Sequence, residues 1–194
     1  MMINKAHFVG LILNQLVAKD ESNYDEDKIL FYINMALKVI SSELDLNVKT
    51  IECELKKGVE YPFPSDFIKL LAVKNNDENV KIYSYLYYAN KSIKENAIIL
   101  SANDFFANFS FKAKMIYSFY DEVMPSDTYI NIPLICEKAL YYQTLMLAKE
   151  MLLSTGKSLE QAEVFRQKYE LELLRCKNLL NNKHKLIETR YKNV

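Results

Sequence analysis

With 194 residues, half of them apolar, the chain can bury one substantial core, or one core with an appendage. Its 25 basic and 25 acidic side chains cancel, which excludes a global electrostatic case for binding nucleic acid or an acidic membrane. No apolar run approaches the roughly 18 residues of a membrane span, and three cysteines without CxxC spacing argue against a disulfide framework or a zinc site.

Residues 5–19 read as a first helix, with Ala6, Val9 or Gly10, Leu13, Leu16 and Val17 near one face. Residues 20–25 are a polar break, in which Asn23 followed by Glu26 offers a capping box. The second helix carries Ile29, Ile33, Ala36, Leu37, Ile40 and Leu44 as an amphipathic stripe. The period then changes. Ile51, Cys53 and Leu55 alternate with Glu52 and Glu54, as in a strand with one wet face.

Lys56-Lys57-Gly58 turns the chain, and Val59, Tyr61 and Phe63 form the return arm. Pro62 and Pro64 fix φ and donate no ladder hydrogen bond, so they make a stiff corner; Ser65 and Asp66 follow as turn formers. Residues 67–73 read as a third strand, 75–79 as a turn, and 80–85 and 97–100 as short strands. Phe109, Phe111, Ala113, Met115, Tyr117 and Phe119 alternate with mostly polar neighbours and predict the longest strand.

Beyond Pro125 and Pro133, residues 134–154 read as a helix that is apolar nearly all round, so it must be buried centrally or covered by another subunit. Thr155-Gly156 stops it, and Ser158 with Gln161 offers a capping box for the last helix. There the buried stripe is Ala162, Phe165, Tyr169, Leu173, Cys176 and Leu180. So short a linker predicts an antiparallel hairpin of the two.

These elements predict an α+β fold, mainly helical: antiparallel helices from both termini packed together, with a small, mostly antiparallel β-sheet or sandwich inserted in the middle. Residues 1–48 and 132–181 would form the helical body, 49–131 the inserted β-rich region, and 182–194 a basic carboxy-terminal arm. Charge is uneven along this order. Residues 20–54 hold nine acids against three lysines, whereas residues 175–194 hold six basic side chains and one acid. A basic tail and an acidic front half would let neighbouring copies dock head to tail, although solvated faces and a mobile tail explain the same charges.

Chemistry is hard to find. His7 and His184 share no motif with Cys, Asp or Glu at ligand spacing. Three glycines leave no phosphate-cradling loop, and neither GxSxG nor a Cys–His motif is present. Asp25-Glu26-Asp27 suits the amino end of the second helix, where the macrodipole rewards negative charge. Asp121-Glu122 reads as a solvated strand end. No catalytic residue, cofactor or metal is expected. Tyr83, Tyr85, Tyr87 and Tyr88 are either a stacking platform for bases or, in the favoured reading, a subunit or tail contact with the first three on one strand face. In the tail, Leu186, Ile187 and Tyr191 beside Arg190 favour a groove on another protein over DNA phosphates, because a purely electrostatic arm gains nothing from apolar anchors.

Taken in order, five features resemble the head–tail connector (portal-bound adaptor) family of tailed bacteriophages, of the podovirus or crAss-like type. They are Phe31-Tyr32-Ile33-Asn34-Met35-Ala36-Leu37 in the second helix, then Tyr61-Pro62-Phe63-Pro64-Ser65-Asp66-Phe67, and a strand ending Tyr117-Ser118-Phe119-Tyr120. Ile132-Pro133-Leu134 then leads to Ala139-Leu140, and Ala162, Phe165 and Tyr169 lie in the last helix. The resemblance implies a non-enzymatic virion protein made in the host cytoplasm and placed in the neck beneath the portal, with no membrane association. It implies a ring, dodecameric in the family, around a channel for double-stranded DNA, with neighbouring copies, the portal protein and a downstream tail or neck protein as partners. By location, the portal-docking arm would carry Leu186, Ile187, Arg190 and Tyr191. A stopper or tail-completion role in the same neck, or a small nucleic-acid-binding or regulatory protein, stays open beside it.

Overall fold

The structure, a computed structural model, describes residues 2–17, 24–91, 93–151 and 156–191, excepting the side chains of 17, 156–158 and 181–191. In chain order the elements are β1 (Ile3–Asn4), α1 (Lys5–Val17), α2 (Glu26–Leu44), β2 (Asn47–Leu55), β3 (Glu60–Pro62), β4 (Phe67–Asn75), β5 (Glu78–Asn79) and β6 (Lys81–Ser84). There follow α3 (Tyr85–Asn90), β7 (Ala97–Leu100), β8 (Asp104–Ala107), β9 (Phe111–Phe119), β10 (Tyr129–Ile130), a 3-10 turn (Leu134–Cys136), α4 (Glu137–Glu150) and α5 (Gly156–Tyr191). The chain divides into two compact units, one of Met1–Leu44 with Asp121–Val194, the other of Asp45–Tyr120.

In the first unit, helix starts are set by short polar side chains. Asn4 Oδ1 accepts the His7 N–H at 2.9 Å and begins α1. Asp25 Oδ1 accepts the Lys28 N–H at 2.8 Å and begins α2, with Glu26 and Asp27 in its first turn. The α2 cap is therefore Asp25; Asn23, proposed for it, lies outside the described residues. Gly156 opens α5, so Ser158 stands inside that helix and not at its start.

The buried face of α1 is Phe8, Val9, Ile12 and Leu16. It is turned from the predicted face, since Ala6 is exposed and Leu13 half-buried. Size decides this: Phe8 and Ile12 remove far more apolar area from water than Ala6 could. α2 buries Ile29, Ile33, Ala36, Leu37 and Ile40, and α5 buries Ala162, Phe165, Tyr169, Leu173 and Cys176. α4 packs against α1, α2 and α5, which accounts for a sequence apolar on nearly every side. Its wholly buried Lys149 places the ammonium 6.0 Å from the ring centroid of Tyr24. β1 pairs antiparallel with β10, Ile3 opposite Ile130. The segment after Asp121 is tied to α2 by Asn34, which donates to Val123 O at 3.1 Å and accepts from Val123 N–H at 2.8 Å.

The second unit is built from two four-stranded sheets, ordered β2-β9-β4-β5 and β3-β8-β7-β6. Leu55, Val73, Phe111, Ala113 and Met115 of the first pack with Ile98, Phe105 and Ala107 of the second in one core. β9 is central to its sheet, pairing antiparallel with β2 on one side and β4 on the other. Asn76 and Asp77, at φ of 48° and 67°, make the tight turn between β4 and β5; both residue types tolerate the left-handed region. Gly58, at φ 73°, occupies the turn after β2 and donates its N–H to Ala107 O at 2.8 Å.

The class is α+β, about 46% helix and 30% strand, but the predicted arrangement is corrected in two respects. The β part is not confined to one small inserted sheet or sandwich: the second unit holds two four-stranded sheets, one of them with a parallel β6–β7 pairing, and the two-stranded β1–β10 sheet lies in the first unit. The helices do not form clear antiparallel terminal flanks either, and α3 arises inside the β-rich unit. The physical source of the first error is β8, where Asp104-Phe105-Phe106-Ala107 shows no alternation in sequence yet pairs with both β3 and β7. A helix at 85–90 was missed because tyrosines spaced by two read as a strand face.

Candidate interaction surface

Tyrosines 83, 85, 87 and 88 do not share a strand. Ser84 ends β6 and caps α3, its Oγ accepting the Tyr87 N–H at 3.3 Å. A helix advances by about 100° per residue where a strand alternates by 180°, so Tyr87 returns over Tyr83. Their rings stack with centroids 5.1 Å apart and planes 8° from parallel. Tyr88 instead meets Phe106 edge-on at 5.7 Å. Tyr85 is 52% exposed and Leu86 75%, forming the outer lip of the ledge.

A charged clamp holds the stack. Glu95 accepts the Tyr83 hydroxyl and, at 2.5 Å, the Lys81 ammonium. The Lys81 and Tyr83 bonds hold the Glu95 carboxyl below its ordinary range, and the bond to Glu95 raises the Tyr83 phenol. Lys91 sits 4.7 Å from the Tyr87 centroid and donates to its hydroxyl at 3.2 Å. An open depression of about 400 Å³ lies against Tyr83, Tyr87, Lys91, Lys94 and Glu95. Because Tyr83 and Tyr87 already stack on each other and Lys91 engages Tyr87, the ledge is poorly suited to take a base between its rings.

Leu86 and Glu95 were missed in the sequence. The Ser84 cap before Tyr-Leu-Tyr-Tyr-Ala-Asn was the available signal for a helix there. Leu186, Ile187, Arg190 and Tyr191 fall on the last turns of α5, which is helical to Tyr191 and so includes residues 182–191 of the segment read as an arm; their side chains lie outside the described residues. The same holds for His184, while His7 is exposed in the first turn of α1.

The thiols are poor nucleophiles. Burial pushes Cys136 up to about 12 and raises Cys53 and Cys176 as well. Cys136 and Cys176, distant in sequence, are neighbours in the first unit, and the Cys176 thiol donates to Ile135 O at 3.2 Å. Among the described residues no group of three His, Cys, Asp or Glu side chains converges as for a metal ion. Among the same residues no helix is long and apolar enough to cross a membrane. No protein-family model matches the chain, and no curated protein matches it.

Proposed function

We propose that this chain is a structural virion protein, a head–tail adaptor that binds beneath a phage portal and assembles there with its own copies around the DNA channel. The observation that carries the reading is the β6–α3 ledge. Tyr85, Leu86 and Tyr87 present aromatic and aliphatic area outward over the half-buried Tyr83, and Lys81, Lys91 and Glu95 brace it. A protein that works by docking needs such a preformed contact, because rigid aromatic groups lose little entropy on association. The ordered motifs from Phe31 to Tyr169 supply the family direction. The ledge would face a neighbouring copy or the next tail component, and the end of α5, with Leu186, Ile187, Arg190 and Tyr191, would enter a groove on the portal. A stopper or tail-completion role in the same neck uses the same surfaces.

The test is to mix the purified chain with its cognate portal and image the product by electron microscopy. Extra ring density under the portal is expected, and a chain truncated after Asn181 should give none while keeping a cooperative thermal transition and losing only the helical signal of the last turns of α5. Bare portals beside unattached full-length chain would overturn the reading. A salt-dependent shift of single-stranded DNA in that case would favour the nucleic-acid-binding alternative.

A further inference from the structure

α5 has two apolar faces. One is spent on the core of its own unit. The other is formed by Val164, Leu171 and Leu174, which are 50%, 69% and 57% exposed. Counting along the helix, Val164, Gln167, Leu171, Leu174 and Asn178 recur at alternating spacings of three and four, the a and d positions of a heptad. All five are exposed. The flanking positions are charged mostly by side: Glu163 and Glu170 fall at g and Lys168 and Arg175 at e, while the last g position, Lys177, is basic and pairs with Glu43 of its own chain at 2.9 Å.

From this we infer that the outer face of α5 binds the same face of a second copy of this chain, as a parallel two-stranded coiled coil. Charge complementarity selects both occupant and direction. In a parallel pair, each g residue meets the e residue five positions later on the other helix. Glu163 then faces Lys168 of the second copy, and Glu170 faces Arg175, twice over by symmetry. An antiparallel pair would set Lys168 against Arg175, like charge on like. Asn178 at an a position pairs best with itself, which also favours two parallel strands in register.

The charges are not idle in the single chain. Glu163 lies 3.5 Å from Arg166, Arg175 lies 3.4 Å from Glu172, and Lys168 sits 5.5 Å from the Tyr142 ring centroid. These are exposed contacts of small net worth and can be exchanged. A seam of two heptads falls short of the roughly three or four that mark a sustained coiled coil. The association should therefore be weak and reversible. It does not depend on the neck assignment.

Sedimentation velocity of the full chain, from low micromolar to sub-millimolar concentration, should show a monomer–dimer equilibrium. Replacing Leu171→Glu with Leu174→Glu should leave only monomer, with helix content retained because both side chains point away from the core. Two charge variants decide the orientation: Glu163→Lys with Glu170→Lys, and Lys168→Glu with Arg175→Glu. Each alone should dimerise at least about tenfold more weakly, and an equimolar mixture should recover the dimer. A wild-type chain that stays monomeric throughout would overturn the inference. So would a dimer that survives the leucine pair, or charge variants that fail to complement one another.

Discussion

Asn34 shows how much one polar side chain can organise. Its amide bonds both the N–H and the C=O of Val123, doing for a segment without regular structure what a neighbouring strand would do. Val123 is itself buried, so water cannot readily replace either bond. Asn34→Leu keeps the size but leaves a buried donor and acceptor unmet. We expect it to destabilise the chain by about 2 kcal/mol, seen in urea as a lower midpoint with an unchanged slope. An unchanged midpoint would mean that the Asn34 clamp is replaced by solvent. In sequence, Asn34 was legible only as one letter of a motif, because nothing local announces a partner so far along the chain.

Among the elements, the proline corner joins the two sheets of the β-rich unit. It does not merely turn the chain. Pro62 ends β3 opposite Asp104, and the Phe67 N–H bonds Pro64 O at 3.0 Å, closing a turn that carries the chain from one sheet to the other. This places Phe63 where it stacks on Phe67 at 4.0 Å and on Phe105 at 5.4 Å, with Tyr61 and Tyr117 extending the aromatic row. Phe63→Ala should cost about 2–3 kcal/mol, below a fully buried phenylalanine because Phe63 is half-exposed. Guanidinium unfolding of the variant measures it; a loss under about 0.5 kcal/mol would show that the row is ornamental. The stiffness of the corner could be read from its prolines. Its aromatic partners could not, because β8 lacks the alternation that marks a strand.

The whole molecule holds two units, each with its own core. All eight buried residues at the centre of the second unit, from Leu55 to Met115, lie within Asp45–Tyr120. A fragment of residues 45–120 should therefore fold alone, since a domain of this size can close a core without disulfides. Circular dichroism of that fragment should show a β-rich spectrum and one cooperative thermal transition; a featureless melt would refute its independence. The first unit is assembled differently, from segments at both ends of the chain, so its core exists only once both are present.

Local periodicity by itself determined the stripes of α2 and α5 and the strand alternation of β2 and β9. Each depends on neighbours within a turn or two, where backbone geometry leaves few options. Tertiary structure alone decided which face of α1 is inside, that β6 and β7 run parallel, and that Tyr87 folds back on Tyr83. It also decided that α4 spends its apolar surface on α1, α2 and α5, while one face of α5 stays exposed. Those outcomes turn on which distant groups compete for the same buried space, and no short window of residues contains that competition.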